Sequence, residues 1–237
     1  TVFNNFLLRA DVARGTNNEI FKYQFGIDFN IETGYGKRIK DEKQQIGDYA
    51  AFLSLNIAPL PALSIQPGIR YIYNTEYTAP LVYSLNAKYE ATEMISFRMS
   101  LAKGFRAPSL KELYLDFVDI NHNILGNENL DAETSLNINL SANYSSKSAA
   151  MYNWGLELGL FYNDINNKIE LALINPVDNY YTYINVDEFI TQGFEFSFNN
   201  RIYPWLQLRL GVALTGRKLV DISSQYDQGF IYSTDVT

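Results

Sequence analysis

The stretch "FKYQFGIDFNIE", residues 21–32, alternates without a break. Phe21, Tyr23, Phe25, Ile27, Phe29 and Ile31 fall on one side. Lys22, Gln24, Gly26, Asp28, Asn30 and Glu32 fall on the other. A period of two over this length reads as a β-strand with one apolar and one wet face. The strand is also long. Twelve residues at about 3.3 Å each, tilted by about 45°, rise roughly 28 Å, close to the apolar band of a membrane barrel. Strands of water-soluble proteins usually run to about 5 or 6 residues.

The same alternation recurs over 6–12, 49–57, 63–73, 81–89, 95–101, 136–144, 154–162, 194–198 and 206–214. Ten strands are therefore expected, with no long helix. Past Asp164 the parity flips, so that Ile165, Ile169, Leu171 and Leu173 line up, which suggests a bulge. Short connections ("GTNN", "PLPA", "ATEM", "SSKSAAM", "NRIYP") alternate with longer ones ("TGYGKRIKDEKQQ", the stretch opened by Asn74, the stretch after Lys103, "NPVDNY"). Such a meander with two unequal ends fits an all-β, antiparallel, up-and-down transmembrane β-barrel. Tyr71, Tyr73, Tyr77, Tyr83, Tyr89, Tyr144 and Tyr162 gather toward strand ends, as an aromatic girdle would. The competing fold is a soluble β-sandwich with one wet face, in which these tyrosines are ordinary cross-strand pairs.

Composition removes several function classes. The chain has no cysteine, hence no disulfide framework or thiolate chemistry. Its net charge is −7, and no basic patch invites a nucleic acid. No apolar run reaches the roughly 18 residues of a spanning helix, which leaves barrels untouched. No phosphate-cradling glycine loop or nucleophile–histidine set stands out, so no catalytic residue, resident cofactor or metal is expected.

The strand directions make the first strand run down into "GTNN" and the tenth run up past Leu214. Both chain ends then lie on the long-loop side. The sequence therefore reads as part of a barrel lacking a strand or more at each end, and "STDVT" does not read as a strand. No basic n-region or apolar h-region of a signal peptide is present.

The longest connection carries the most information. "GFRAP" (104–108) ends a strand. "SLKELY" (109–114) has the form of a capping box, Ser109 with Glu112. "GNENLDAE" (126–133) leads into the next strand. Together with "IQPGIRYIYNTEY", "LGLFYNDINNKIEL" and "YINVDEFITQGFEFSF", this order resembles the barrel of TonB-dependent outer-membrane receptors. There an arginine-alanine-proline motif and a "GNPNLKPE"-like motif bracket one extracellular loop. The corresponding residues are Phe105, Arg106, Ala107 and Pro108, and then Gly126, Asn127, Glu128, Asn129, Leu130, Asp131, Ala132 and Glu133. Glu128 replaces the family proline, and Asp131-Ala132 replaces its lysine-proline pair.

The resemblance implies a larger, 22-stranded barrel in a Gram-negative outer membrane, its lumen closed by a plug domain that is not among these residues. It implies uptake of a scarce ligand, a ferric siderophore or similar chelate, powered by the TonB complex. Expected partners are the plug, TonB, the lipid bilayer and a small chelate. The rivals are a haem receptor using His122, and a passive porin, adhesin or carbohydrate-binding β-domain. Arg106 could face the lumen or tie the loop to Glu112 and Glu133. Asn127 and Asn129 suit Asx turns. His122, Tyr114 and Asp116 could touch ligand or form a solvated rim. Arg70, Arg98 and Arg209 share the wet parity and could meet the plug or guide anions.

Overall fold

The computed structural model describes residues 1–15, 20–119, 123–146, 153–203, 205–221, 226–227 and 229–236. Ten long strands dominate: β1 (Val2–Arg14), β2 (Phe21–Tyr35), β3 (Lys43–Leu60), β4 (Leu63–Asn74), β5 (Val82–Glu90), β6 (Ile95–Arg106), then β9 (Glu133–Ser145), β10 (Asn153–Asn175), β11 (Tyr180–Tyr203) and β12 (Leu206–Asp221). Between β6 and β9 lie one short helix, α1 (Leu110–Tyr114), and two short strands, β7 (Phe117–Val118) and β8 (Asn123–Leu125). Two more short strands, β13 (Tyr226–Asp227) and β14 (Ile231–Val236), follow β12. Consecutive long strands pair antiparallel in the order β1-β2-β3-β4-β5-β6-β9-β10-β11-β12. Among the described residues β1 pairs with β2 alone, so the sheet is a meander that is not closed.

The two faces differ as the alternation demands. Large apolar side chains on one parity stand exposed, such as Phe6 at 59% and Leu160 at 55%. An apolar surface running unbroken across ten strands requires a nonaqueous cover, and the hydrocarbon of a bilayer supplies it. The other face is polar and recessed. A hollow of about 620 Å³ there is lined by Gln66, Asn86, Lys88, Arg98, Asn139, Ser141, Glu157 and Glu195 among others. Charges on this wall are paired where they are buried. Asp28, 5% exposed, takes both Arg9 and Arg70, the latter at 3.1 Å.

Three expectations change. The "STDVT" region is a strand: β14 pairs with β12, from Val212 with Val236 to Arg217 with Ile231. Its Tyr232 and Val236 alternate with polar neighbours too sparsely to be read as a strand without that partner. No bulge sits at Asp164, where the ladder stays in register with both Leu136 and Ile190. Asn167 takes φ 56°, in the left-handed region that asparagine tolerates, and the register shift of the β10–β11 ladder falls later, between Leu173 and Asn175. Beyond Asn167, Ile169 is buried against the β6–β9 connection, so its apolarity reflects a local core rather than the lipid face. Finally, β11 begins at Tyr180, well before the Phe194 at which alternation becomes regular. Its first half packs on a loop, so the two-sided pattern is blurred there.

Candidate functional site

Beneath the 104–133 connection, local chemistry fixes each turn. On β6 the apolar stripe Ile95, Phe97, Met99, Leu101 ends at Lys103, so Arg106 lies beyond the lipid-facing band. Pro108 then stops the strand and is fully buried. Ser109, extended at φ −76° and ψ 161°, caps α1. Its Oγ accepts from the Glu112 amide at 3.4 Å, and Glu112 Oε2 accepts from the Ser109 amide at 2.7 Å. This reciprocal box satisfies two donors that the first turn otherwise leaves open. Leu110 and Leu113, three apart and hence on one face, are 0% and 3% exposed.

Arg106 is held at both of its ends. Its Nε and Nη2 donate to Glu133 Oε2 and Oε1 at 2.8 and 2.7 Å, a two-pronged fork. Its Nη1 donates to both oxygens of Glu112, at 3.1 and 3.0 Å. Glu133 Oε1 also accepts from the Ile169 amide at 2.7 Å. One guanidinium thus joins the end of β6, the cap of α1 and the start of β9, and through Glu133 it reaches the β10 backbone at Ile169. Burial by itself would raise the Glu133 carboxyl, but Arg106 and the Ile169 amide outweigh it and hold the group below its usual range. Its contribution to loop stability is therefore full above the unfolded value of about 4.3 and is lost as pH falls through the lower folded value. Acidification from about pH 5 to about pH 3 should loosen this loop first, read as cleavage within 104–133 by an acid-active protease. Replacing Arg106 with Ala leaves two carboxylates facing each other and should cost the loop about 2 kcal/mol, kept low because Arg106 is half-exposed; Lys cannot restore the fork.

The return segment is built on α1 itself. The Gly126 amide donates to Leu115 O at 2.9 Å and the Asn127 amide to Glu112 O at 2.8 Å. Asn127 Oδ1 accepts from the Asn129 amide at 2.9 Å, an Asx turn, while its Nδ2 donates to Tyr183 O at 2.8 Å. Asn129 itself is exposed. Leu130 is buried and joins Ile46, Leu110, Leu113 and Ile169 in one cluster, with Phe3, Tyr77, Tyr114 and Tyr183 against it. Phe105 and Ala107 line a hollow of about 380 Å³ between the loop and the polar wall, with Asn30, Glu32, Asp48 and Arg70 opposite.

Sequence reasoning missed several parts of this assembly. Tyr77, read as a girdle residue, turns inward, and its hydroxyl donates to Leu130 O at 3.1 Å. Burial, with smaller contributions from Tyr114 and Glu76, pushes that hydroxyl up to about 12. Because the neutral form is the one folding favours, stability should fall between about pH 10 and pH 12. A Tyr77→Phe variant should lose that dependence, together with about 1 kcal/mol of loop stability, measured by amide exchange. Glu32 accepts from the Leu110 amide at 3.4 Å, Lys40 pairs with Glu128, and Asn185 brackets Asp131 with bonds of 2.8 and 3.0 Å. Only register across distant strands could have announced these contacts.

The ligand candidates divide. Tyr114 is partly covered and Asp116 is exposed. His122 lies outside the described residues. Arg70 is on the polar wall but is bound there by Asp28. Arg98 lines the large recess. Arg209 sits on β12 opposite Asn199 and is exposed.

Comparison with known proteins settles what kind of barrel this is. The model of the TonB dependent receptor-like, beta-barrel family matches residues 2–235. The chain belongs to this family. A ferric enterobactin receptor of Pseudomonas aeruginosa is 28% identical over 172 residues, covering 62% of this chain and 22% of that protein. The ferric enterobactin receptor PirA of the same organism is 28% identical over 151 residues, 58% of this chain and 19% of that one. A probable hemoglobin and hemoglobin-haptoglobin-binding protein of Haemophilus influenzae is 30% identical over 94 residues, 40% of this chain and 8% of its own. The crystal structure of the siderophore receptor PirA from Pseudomonas aeruginosa superposes with a TM-score of 0.75 at 22% identity, over 99% of this chain and 46% of that one. At such identity the superposition establishes the fold. This TonB-dependent receptor barrel chain thus spans less than half the length of the relatives it matches.

Proposed function

We propose that this chain is barrel wall from an outer-membrane receptor that imports a ferric siderophore with energy from TonB. In this reading the apolar face meets the bilayer of a Gram-negative outer membrane. The polar face meets a plug domain, and the long-loop end faces outward. The observation that carries the reading is the loop platform of 104–133. Its described residues are held by buried leucines and a charged clamp rather than left as a solvated excursion, and the chain is 28% identical, over 172 and 151 residues, to two proteins named ferric enterobactin receptors. A long loop held this firmly is suited to present side chains to a ligand, since ordering them beforehand lowers the entropic cost of binding. Arg98 and the uncommitted polar groups of the recess are available to a plug surface.

The test is growth. A strain lacking the whole gene should fail to grow on ferric enterobactin as sole iron source, and the gene restored in trans should rescue it. Unimpaired growth of the deletion strain would sink the siderophore reading. The haemoglobin-binding relative supports a second reading, haem uptake. Under it the same strain fails on haem instead, and His122→Ala reproduces the failure.

A further inference from the structure

Lys88 of β5 and Arg98 of β6 stand directly opposite each other on the polar face. Partners in an antiparallel pair have Cα atoms about 4.5 to 5.5 Å apart, and like charges so placed repel. Lys88 is offset by Glu90 on its own strand. Arg98 is exposed and pairs with no carboxylate among the described residues. Both side chains line the hollow of about 620 Å³. Two adjacent cations facing such a recess attract an anion into it.

The surroundings of the pair have the same preference. Above it, the inward positions of β5, β6 and β9 hold Ser84, Asn86, Ser100, Ala102, Asn137 and Asn139. These side chains are small and neutral, and they adjoin in register: Ser84 with Ala102 and then Asn137, Asn86 with Ser100 and then Asn139. Among the described residues, no inward carboxylate interrupts these three strands between Glu133, which Arg106 holds, and Glu90, which Lys88 holds. The flanking walls differ. Asp11, Asp28, Glu32 and Asp48 lie on the inward parity of β1 to β3, and Glu157 and Glu195 line the hollow from β10 and β11. Glu195 shares a row with Arg98, reached through Ser141 and Gly159. Three lateral steps of about 4.8 Å put the two roughly 14 Å apart. An anion in the hollow is therefore drawn to its β5–β6 side and kept off its β10–β11 side.

The strip joins two ends of the barrel wall. From Arg98 to Arg106 is eight residues of β6, about 26 Å along the strand. The loop platform sits at one end and the basic pair near the short-turn end. A ferric chelate whose phenolate or carboxylate oxygens outnumber the charge of the iron is an anion. We infer that Lys88 and Arg98 form a transit site for this anionic chelate on the barrel wall: after leaving the loop end it passes along the neutral strip of β5, β6 and β9 and is held at the basic pair before release. This rests on the receptor reading for the identity of what passes. Neutral hydroxyls and amides touch an anion without trapping it, and two charges at the inner end supply the pull. The competing occupant is an acidic side chain of the plug. The hollow is far larger than one carboxylate needs, and its neutral floor continues upward from the pair, which favours a ligand that moves.

Lys88→Gln with Arg98→Gln in the full-length receptor, as the sole receptor of the cell, tests the site. Without functional TonB the variant should bind iron-55 enterobactin at the surface within about twofold of the wild-type affinity, because the pair lies beyond the screening length from the loop. With TonB it should accumulate the chelate about tenfold more slowly, and Arg98→Lys alone should stay near the wild-type rate. Undiminished accumulation overturns the site. Loss of surface binding together with accumulation also overturns it, since the pair then serves the outer site or the fold. Slow accumulation with new sensitivity to vancomycin, a bulky antibiotic that a seated plug keeps out, overturns it in favour of a plug contact. If the wild type takes up no ferric enterobactin, the siderophore reading falls instead. The anion site is then still decided by labelling. Ser100 lies two residues from Arg98 and lines the same hollow, and this chain has no cysteine. Ser100→Cys, in an otherwise cysteine-free full-length receptor in TonB-competent cells, should prefer an anionic over a cationic methanethiosulfonate by at least about threefold relative to free cysteine. Lys88→Gln with Arg98→Gln should remove the preference. Equal rates, or no labelling by either reagent, overturn the site whatever the ligand is.

Discussion

Gly126→Ala should dismantle the loop platform. A Cβ at this position would lie 2.5 Å from Leu113 O, 2.6 Å from Leu113 C and 2.7 Å from the Tyr114 amide nitrogen. All three are backbone atoms of α1, so no side chain can swing aside. Either the helix moves off Ser109 and Glu112 or the return segment retreats and loses its bonds to Leu115 and Glu112. Overpacking usually costs about 1 to 3 kcal/mol, and a contact with fixed backbone belongs at or above the upper end. Hydrogen exchange of the amides of residues 113, 115, 126 and 127 should then accelerate by about a hundredfold or more, while the strand amides of β2 and β3 keep their protection. Unchanged exchange at Leu115 and Gly126 would show that the two halves of the connection do not depend on this contact.

Leu110→Ala should have a comparable effect by the opposite route. Leu110 is fully buried, and the cluster it fills has few other members: Ile46, Leu113, Leu130 and Ile169. Truncation removes the transfer gain and leaves a cavity, which together cost about 2 to 5 kcal/mol. The strands that frame the site are held by their own ladders and cannot collapse inward, which favours the upper half of that range. The loop should become a site of rapid tryptic cleavage at Lys111 while the barrel resists. A conservative Leu110→Met should retain most of the protection, because volume is nearly preserved. Equal cleavage of both variants would mean that polarity or sequence, and not packing, sets the loop's stability.

The ten long strands were legible because lipid on one side and polar groups on the other impose a strict period of two. Residues 21–32 and 206–214 are the clearest cases. The capping box at Ser109 and Glu112 was legible for the same kind of reason: it is local, and its two members sit three residues apart. Three features were not. β14 has polar Ser233, Thr234 and Asp235 in a row at its centre and becomes a strand through its pairing with β12. The first half of β11 packs on a loop, which masks its alternation. Tyr77 has the composition of a girdle residue, and only the distant Leu130 carbonyl shows that it serves the loop. The pattern is general. Contacts within a few residues are written in spacing, whereas the bridge from Ile39 to Leu115 joins connections far apart in sequence that only the curvature of the sheet brings together.

The central claim, that this barrel wall belongs to a TonB-driven receptor for a ferric siderophore, is tested most directly by iron-55 accumulation. Cells carrying the full-length gene as their sole receptor should accumulate iron-55 enterobactin when TonB is functional. In a TonB-deficient background they should bind it at the surface without accumulating it. Accumulation independent of TonB, or none in either background, would contradict the account.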